Sequence, residues 1–336
     1  MMRFRSVAAF EAALRDLPVI DAAARAAAAA RQARLTKPAG SLGRLEEIAL
    51  FMAGWRGDAR PRLDQGRVVV FAGNHGVAAR GVSAFPPAVT RQMVANFQAG
   101  GAAINALAGA AGLSFAVVPL ALDRPTGDIT VEPAMSAADC LDALDAGAAA
   151  VTPGLDLLVP GDMGIGNTTP AAALCAASFG GDAADWVGPG TGVAGAALAA
   201  KIAAVGSALA THADAMTAFE RLRRLGGREI AAIAGAILAA RHARVPVLLD
   251  GFIVGAALAP LAAAQPRVVD HCLAGHVSAE PGHARLLDRL GLSPLLALDM
   301  RLGEASGAAV AASVIRAALA AHDQMATFEQ AGVAEG

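Results

Sequence analysis

Two glycine-rich loops and one isolated acid are the parts of this sequence whose residue types could do chemistry. Residues 161–169 read Gly-Asp-Met-Gly-Ile-Gly-Asn-Thr-Thr and lead into Pro170. Thr168 or Thr169 could cap a helix with Pro170 at its first position, and such a helix N-terminus offers free N–H groups and a positive dipole end to a phosphate. The G-x-x-x-x-G-K-[ST] pattern is absent, which disfavours a triphosphate held with magnesium. This first glycine loop predicts an anion site, and an ordinary tight strand-to-helix turn is the alternative.

The second glycine loop, residues 188–192, reads Gly-Pro-Gly-Thr-Gly and also precedes a predicted helix. Glycine lets a backbone approach a ligand closely, so this loop could bind the same phosphate from another side. A connecting loop without function is equally compatible with the spacing.

The isolated acid is Glu304, which lies between Gly303 and Ala305 in a segment that would join a strand to a helix. A carboxylate among small residues in a water-poor crevice has a raised pKa, which suits a general base. A glutamate near a helix N-terminus can also serve only to stabilise the helix dipole. The residue types alone favour this second interpretation.

Histidines and one phenylalanine are further candidates. His75 follows a predicted strand, and Phe85 lies in a segment that could form the wall of a site for a flat aromatic ligand or belong to the core. His271, His276 and His283, together with Glu280, could suggest a metal site. The histidines are separated by four and six residues, which matches neither H-E-x-x-H nor a cysteine–histidine zinc pattern. We therefore predict no metal site.

Short, continuous apolar segments precede the loops and predict the elements that position them. The predicted strands are residues 67–71, 114–119, 155–159, 245–249, 267–270 and 295–298, and helical segments such as 88–108, 170–178, 193–212 and 229–241 lie between them. Strands of this kind are buried on both faces, and their alternation with helices predicts a doubly wound α/β fold. We expect a mostly parallel sheet of about six strands with helices on both faces. Ligands of such sheets bind outside the carboxyl ends of the strands, where the loops would converge.

The two ends of the chain are helical in pattern and lack strand-like segments. Residues 6–34 are rich in alanine with charged residues at helical spacing, and a final helix begins at residue 308. We predict a Rossmann-like catalytic domain at residues 61–307. Residues 1–60 and 308–336 would form a small helical domain.

Composition excludes several classes of protein. The chain has 336 residues, a net charge of −2 and 55% hydrophobic residues, which disfavours disorder and binding to nucleic acid or anionic membranes. Cys140, Cys175 and Cys272 lie far apart and form no C-x-x-C pair, so disulfides and structural zinc are not expected. No uncharged apolar segment reaches the ~20 residues of a membrane span, and the N-terminus lacks the apolar region of a signal peptide. We expect a cytoplasmic protein.

Nine segments, which include both glycine loops and Glu304, match one known family. They are residues 36–45 (TKPAGSLGRL), 71–76 (FAGNHG), 81–86 (GVSAFP), 90–105 (TRQMVANFQAGGAAIN), 161–169 (GDMGIGNTT), 188–192 (GPGTG), 249–255 (LDGFIVG), 275–283 (GHVSAEPGH) and 298–307 (LDMRLGEASG). Together they resemble the nicotinate-nucleotide–dimethylbenzimidazole phosphoribosyltransferases, and GIGNTT and RLGE-x-x-G are the specific parts. The resemblance implies transfer of the phosphoribosyl group of nicotinate mononucleotide to 5,6-dimethylbenzimidazole with inversion. The products would be nicotinate and α-ribazole 5′-phosphate, which forms the lower nucleotide loop of cobalamin.

The resemblance also implies roles for individual residues. Glu304 would be the catalytic base, and Asp162 would have a supporting role because relatives often carry the longer Glu there. The residues implied for the phosphoribosyl group are Gly164, Gly166, Asn167, Thr168, Thr169, Gly190, Thr191 and Gly192. Those implied for the benzimidazole are Ser83, Phe85, Gln92 and Leu302. The family forms homodimers, and the reaction uses no cofactor.

The chemistry of this transfer agrees with a single carboxylate. In nicotinate mononucleotide the glycosidic nitrogen belongs to a cationic pyridinium ring. Nicotinate therefore leaves with a neutral ring nitrogen and needs no acid, whereas the incoming azole must lose its N–H proton. No pyrophosphate leaves, so no metal is required.

Two other classes of protein remain as alternatives. A phosphate-binding regulatory module without turnover would also use the glycine loops. A dehydrogenase would need G-x-G-x-x-G after the first strand, and Gly73-Asn74-His75-Gly76 does not fit this pattern. A kinase would need a triphosphate loop, which the sequence lacks.

Overall fold

A computed structural model describes residues 2–190 and 192–334 of the chain. Within these residues the chain forms a six-stranded sheet in which every neighbouring pair of strands is parallel. The strands are β1 Gly66–Ala72, β2 Ser114–Pro119, β3 Leu157–Met163, β4 Val247–Leu249, β5 Cys272–Val277 and β6 Pro294–Ala297. The predicted α/β fold, with about six mostly parallel strands, is confirmed.

The order of the strands across the sheet is β2-β1-β3-β4-β5-β6. The chain therefore changes direction at β1, because β2 lies on one side of it and β3 on the other. In parallel α/β sheets such a switch point opens a crevice between the loops that follow the two strands. Here those loops are the segment after β1 and the first glycine loop after β3.

Helices cover both faces of the sheet. They are α1 Val7–Arg15, α2 Ala22–Gln32, α3 Arg44–Arg56, α4 Ala88–Ala99, α5 Ala103–Ala110, α6 Ala137–Ala148, α7 Thr168–Phe179, α8 Ala183–Trp186, α9 Gly195–Thr211, α10 Ala218–Leu225, α11 Arg228–His242, α12 Phe252–Ala264, α13 Pro281–Leu290, α14 Ser306–Gln324 and α15 Phe328–Ala331. Among the described residues, no helix is both long and apolar enough to cross a membrane.

Alternate residues of β1 face two separate cores, which is why the strand is apolar throughout. Val69 and Phe71 pack with α6, α11 and α12 on one face. Val68 and Val70 pack with α5 and α14 on the other. The alanine-rich helices have small side chains, so they can lie close to the sheet and to one another.

Two predicted elements are wrong. The sequence predicts a strand at residues 267–270, but Pro266–Val269 is a 3₁₀ helix and the strand that follows is β5. Pro266 fixes a turn-compatible φ at the first position of this helix and has no N–H for a ladder. The predicted helix 88–108 is divided into α4 and α5, because Gly100 has a left-handed φ of 78° and ends α4.

The terminal segments contact each other and the sheet. Helix α3 packs against α2 and α14, and Leu35 forms an antiparallel bridge with Thr327. Helix α14 also packs on β5, and α1 packs on α10. The division into a catalytic domain at residues 61–307 and a small helical domain stays a prediction.

Candidate active site

Loops that follow four strands surround one cleft at the carboxyl edge of the sheet. Residues at the carboxyl ends of β3 and β5 and in the segments after β3, β4, β5 and β6 line this cleft together with the second glycine loop. They are Asp162, Asn167, Thr168, Gly190, Gly251, Phe252, Ile253, His276, Ser278, Glu280, Arg301, Leu302 and Gly303. The N-cap residues of α7, α12 and α13 are among them. Three positive helix ends therefore face the cleft, an arrangement that favours a bound anion.

The first glycine loop forms a tight turn between β3 and α7. Gly166 has a φ of 88°, which a residue with a side chain rarely adopts. Asn167 is the N-cap residue, but its side-chain amide donates to Oδ2 of Asp162 at 2.9 Å and does not cap the helix. Thr168 and Thr169 lie inside the helix, so the prediction that either one caps it is wrong, and Pro170 is not its first residue. The turn at Gly166 starts the helix two residues earlier than the proline suggests.

The second glycine loop is held by three charged side chains that the sequence does not assign to it. The ammonium group of Lys201 donates to the carbonyl of Gly188 at 2.8 Å, and Arg301 donates to the carbonyl of Gly190 at 3.3 Å. The N–H of Gly190 donates to Oε2 of Glu280 at 3.1 Å. A Cβ built on Gly190 would lie 3.4 Å from the Thr168 hydroxyl, so the two glycine loops approach each other closely.

Thr191, which the resemblance places in the phosphoribosyl site, lies outside the described residues. Gly192, the next residue, is exposed and has a φ of 126°.

Lys201 is a fully buried cation beside the two loops. Burial lowers the pKa of its ammonium group to about 8, and the nearby charge of Glu280 opposes the change. Lys201 is the one charged residue in α9, whose other residues are small or apolar. A lone lysine in such a helix is the sequence signal that could have found it.

Glu304 lies in a left-handed turn between β6 and α14, and only 5% of its surface is exposed. The φ angles of Gly303, Glu304 and Ala305 are 81°, 62° and 67°, and we call these three residues the Glu304 turn. Burial, and then the negative charge of Asp250, raise the pKa of Glu304 to about 7. The carboxylate is therefore ready to accept a proton near neutral pH.

Asp162 lies next to the Glu304 turn. A Cβ on Gly303 would lie 3.6 Å from both carboxylate oxygens of Asp162, and one on Gly161 would lie 2.8 Å from the Cβ of Ala305. Burial, and then the charge of Asp250, raise the pKa of Asp162 to about 8, while the hydrogen bond from Asn167 opposes the change. The two acids that the sequence suggests are thus brought together in one buried region.

The four residues implied for the benzimidazole are only partly brought together. Leu302 lines the cleft and is 54% exposed, which suits contact with a flat apolar ligand. Phe85 is 49% exposed, Gln92 is exposed, and the hydroxyl of Ser83 accepts from the N–H of Phe85 at 3.3 Å. These three residues do not line the cleft.

The segment that carries these residues nevertheless borders the first glycine loop. A Cβ on Gly166 would lie 3.3 Å from the Cβ of Ala78, and the N–H of Ile165 donates to the Thr90 hydroxyl at 3.2 Å.

The histidines have separate surroundings. His75 forms a buried pair with Glu229, with Nε2 2.6 Å from Oε1, and His271 contacts the carbonyl of Ile237. The N–H of Ser278 donates to Nδ1 of His283 at 2.9 Å, and His276 lines the cleft. Among the described residues, no group of His, Cys, Asp and Glu side chains has a geometry that could hold a metal ion.

The fold and this cleft define an α/β protein with an anion-favouring site at the carboxyl edge of its sheet, and comparisons with known proteins give the family. A family model described as "Phosphoribosyltransferase" matches residues 17–333. A protein of Novosphingobium aromaticivorans is 68% identical over 337 residues, which cover 100% of both chains. One of Cereibacter sphaeroides is 58% identical and covers 99% of both chains. Each is named nicotinate-nucleotide–dimethylbenzimidazole phosphoribosyltransferase.

A solved structure agrees with these relatives. The crystal structure of CobT from Thermus thermophilus is 44% identical, with a TM-score of 0.88, and covers 94% of this chain and 100% of that one. The chain therefore belongs to the phosphoribosyltransferase family that the model describes. The resemblance seen in the sequence motifs is confirmed.

Proposed function

We propose that this protein transfers the phosphoribosyl group of nicotinate mononucleotide to 5,6-dimethylbenzimidazole, with Glu304 as the general base. The names of its full-length relatives support the substrates. The observation that carries the mechanism is the position of Glu304. It directly follows Leu302 and Gly303, which line the cleft, it is 5% exposed, and its pKa is about 7.

The phosphate binds where the two glycine loops meet. The N-terminus of α7 supplies N–H groups and a positive dipole end, and Lys201 supplies a positive charge beside the second loop. Binding of the phosphate fixes C1′ of the ribose, so the reacting atoms are held in line and the entropy of bringing them together is lost before the reaction.

One proton moves in the transfer. A ring nitrogen of the benzimidazole forms a bond to C1′ as the bond from C1′ to the pyridinium nitrogen breaks, and that electron pair stays on nicotinate as a neutral ring nitrogen. The N–H proton of the benzimidazole passes to Glu304. General bases of this kind contribute typically about 10²–10⁴-fold to the rate.

Asp162 has a supporting role beside the base. With a pKa of about 8, its carboxyl is mostly protonated near neutral pH, so it adds little negative charge next to Glu304. The side chain lies next to the Glu304 turn, where its protonated carboxyl can donate a hydrogen bond to the ribose or to Glu304. Leu302, Phe85, Ser83 and Gln92 remain the proposed benzimidazole contacts.

The proposal includes a homodimer, because the sequence motifs resemble those of a family that forms homodimers. It also includes the cytoplasmic location that we expect from the sequence. Sedimentation equilibrium of the purified protein measures the first, and fractionation of the producing cells measures the second.

The experiment is a chromatographic assay of the protein mixed with nicotinate mononucleotide and dimethylbenzimidazole. We expect free nicotinate and α-ribazole 5′-phosphate in equal amounts. Glu304→Gln should lower turnover by at least about 10²-fold and leave binding of nicotinate mononucleotide, measured by calorimetry, nearly unchanged. Glu47→Gln is the same substitution at an exposed position of α3 that does not line the cleft, and this control should turn over normally.

Two results would contradict the proposal. A Glu304→Gln variant that keeps more than about a tenth of the activity would exclude a base worth 10²-fold. Binding of the nucleotide without any release of nicotinate by the wild type would favour a phosphate-binding module without turnover.

A further inference from the structure

The Glu304 turn is a conformation that needs support from outside. Glu304 and Ala305 both have side chains and both have left-handed φ angles, of 62° and 67°. Residues with a Cβ rarely adopt this region, and they stay there only when surrounding groups hold them. Helix α14 begins directly after them at Ser306, and its N-cap residue, Ala305, has only a methyl group and cannot cap it.

The support comes from Asp250, which follows β4 and is 1% exposed. Its Oδ2 accepts the N–H of Ala305 at 3.1 Å, and its Oδ1 accepts the N–H of Ala308 at 2.9 Å. One carboxylate from a neighbouring strand thus binds the N–H of the residue after Glu304 and an N–H of the first turn of α14. These two bonds cap the helix and fix the left-handed turn together.

His276 of β5 holds the other side of this arrangement. Its Nε2 lies 3.3 Å from Oδ1 of Asp250. A Cβ on Gly307 would lie 2.3 Å from the His276 ring, so the first turn of α14 packs directly on the ring. Asp250 therefore cannot move away from α14 without displacing a packed side chain.

We infer that Asp250 is a positioning residue of the transfer reaction, whose carboxylate fixes the Glu304 turn and so aims the base at the cleft. This inference rests on the proposed role of Glu304 as the base. Asp250 does not line the cleft, and it acts through the backbone of the turn.

The charged groups around Glu304 make this role measurable by pH. Asp162 of β3, Asp250 after β4 and His276 of β5 face the turn, and Arg301 lies in the same loop with its guanidinium on the second glycine loop. Among them, the charge of Asp250 is the one that raises the pKa of Glu304 beyond the effect of burial. The acid limb of the pH profile of kcat/KM reports the pKa of Glu304. An uncharged side chain at position 250 should lower this pKa and move the acid limb to lower pH, whereas loss of packing at a remote site would not.

The test compares Asp250→Asn with Asp156→Asn. Asp156 is a matched control because it is also buried, at 9% exposure, and its Oδ2 accepts the N–H groups of Asp64 and Gln65 at 2.9 and 2.7 Å. It lies just before β3, at the edge of the sheet opposite the cleft. Both variants lose a carboxylate that binds two backbone N–H groups, but only one of them supports the Glu304 turn.

We expect Asp250→Asn to lower kcat about 10- to 100-fold, with little change in the KM for nicotinate mononucleotide, because the base is displaced and the phosphate site is intact. Its acid limb should move to lower pH. Amide hydrogen exchange at Ala305 and Ala308 should be faster by about tenfold or more. Asp156→Asn should keep the wild-type kcat, pH profile and protection at these two amides.

Wild-type turnover in Asp250→Asn, or unchanged protection of the Ala305 and Ala308 amides, would overturn the inference. Exchange is measured without substrate, so it reports on the turn even if Glu304→Gln stays active and the base assignment fails. If Asp250→Asn does not fold, Asp250→Ser replaces it. The serine hydroxyl can accept one of the two N–H groups, and the same changes in kcat, pH profile and exchange are expected.

Discussion

Replacing Glu304 by glutamine should stabilise the folded protein at neutral and alkaline pH, although it removes the activity. The side chain is 5% exposed, and burial with the charge of Asp250 raises its pKa from an ordinary value of 4.5 to about 7. A carboxyl group whose pKa is raised on folding contributes its full stability below pH 4.5. That stability is lost as the pH rises to about 7, because the buried group must then ionise.

The size of the effect follows from the same values. A rise in pKa from 4.5 to about 7 corresponds to about 3 kcal/mol of unfolding free energy, at 1.36 kcal/mol per pKa unit. For a chain of 336 residues the unfolding entropy is about 0.7 kcal/mol/K, so Tm should rise by about 4 °C. Glutamine has nearly the same shape as glutamate, and therefore the packing of the turn should not change.

The assay is differential scanning calorimetry of both proteins at pH 4.5 and pH 8. We expect nearly equal Tm values at pH 4.5 and a higher Tm for Glu304→Gln at pH 8. An equal Tm at pH 8 would show that Glu304 is not buried in a costly ionised form, and it would refute both this reasoning and the raised pKa that suits a base. A Tm difference of the same size at both pH values would show that the effect is one of packing and not of ionisation.

Three further predictions concern other residues of the site. Asp162→Asn should lower turnover by less than Glu304→Gln does, since we assign Asp162 a supporting role; the reverse order in a steady-state assay would exchange the two roles. Lys201→Met should raise the KM for nicotinate mononucleotide about tenfold or more. In the wild type this KM should rise above pH 8 as the ammonium group loses its charge, and the KM of the variant should be insensitive to pH in this range. Gly307→Ala should lower the unfolding free energy by about 1–3 kcal/mol in urea, because the new methyl group would lie 2.3 Å from a packed histidine ring; no change in the urea midpoint would mean that the ring moves freely.

The sequence predicts those parts of the fold that depend on local pattern. The predicted bounds of β1 and β2 agree with the structure to within a residue, because continuous apolar, β-branched segments are typical of strands buried on both faces. Strand β5 is missed, since Cys-Leu-Ala-Gly-His-Val has a weak local preference and is a strand because it pairs with β4 and β6. The valines before it predict a strand, but Pro266 begins a 3₁₀ helix there.

The site divides in the same way. The two glycine loops and Glu304 can be found from the sequence because each is marked by its own neighbours. Lys201 is marked only by being alone in an apolar helix, and its partner in the second glycine loop is not. The roles of Glu280 and Asp250 depend on contacts with segments far away in the chain: Asp250 binds the backbone at Ala305, and Glu280 binds that of Gly190. No local pattern encodes such contacts.

The order of the strands has a consequence for how the protein acquires its activity. The cleft needs groups from loops that follow β3, β4, β5 and β6, so it is complete only when sequentially distant strands have paired. Pairing of such distant segments is slow compared with the formation of local helices. After dilution from denaturant, recovery of turnover should therefore trail recovery of the far-ultraviolet circular dichroism signal, and partly refolded molecules should be rich in helix and inactive.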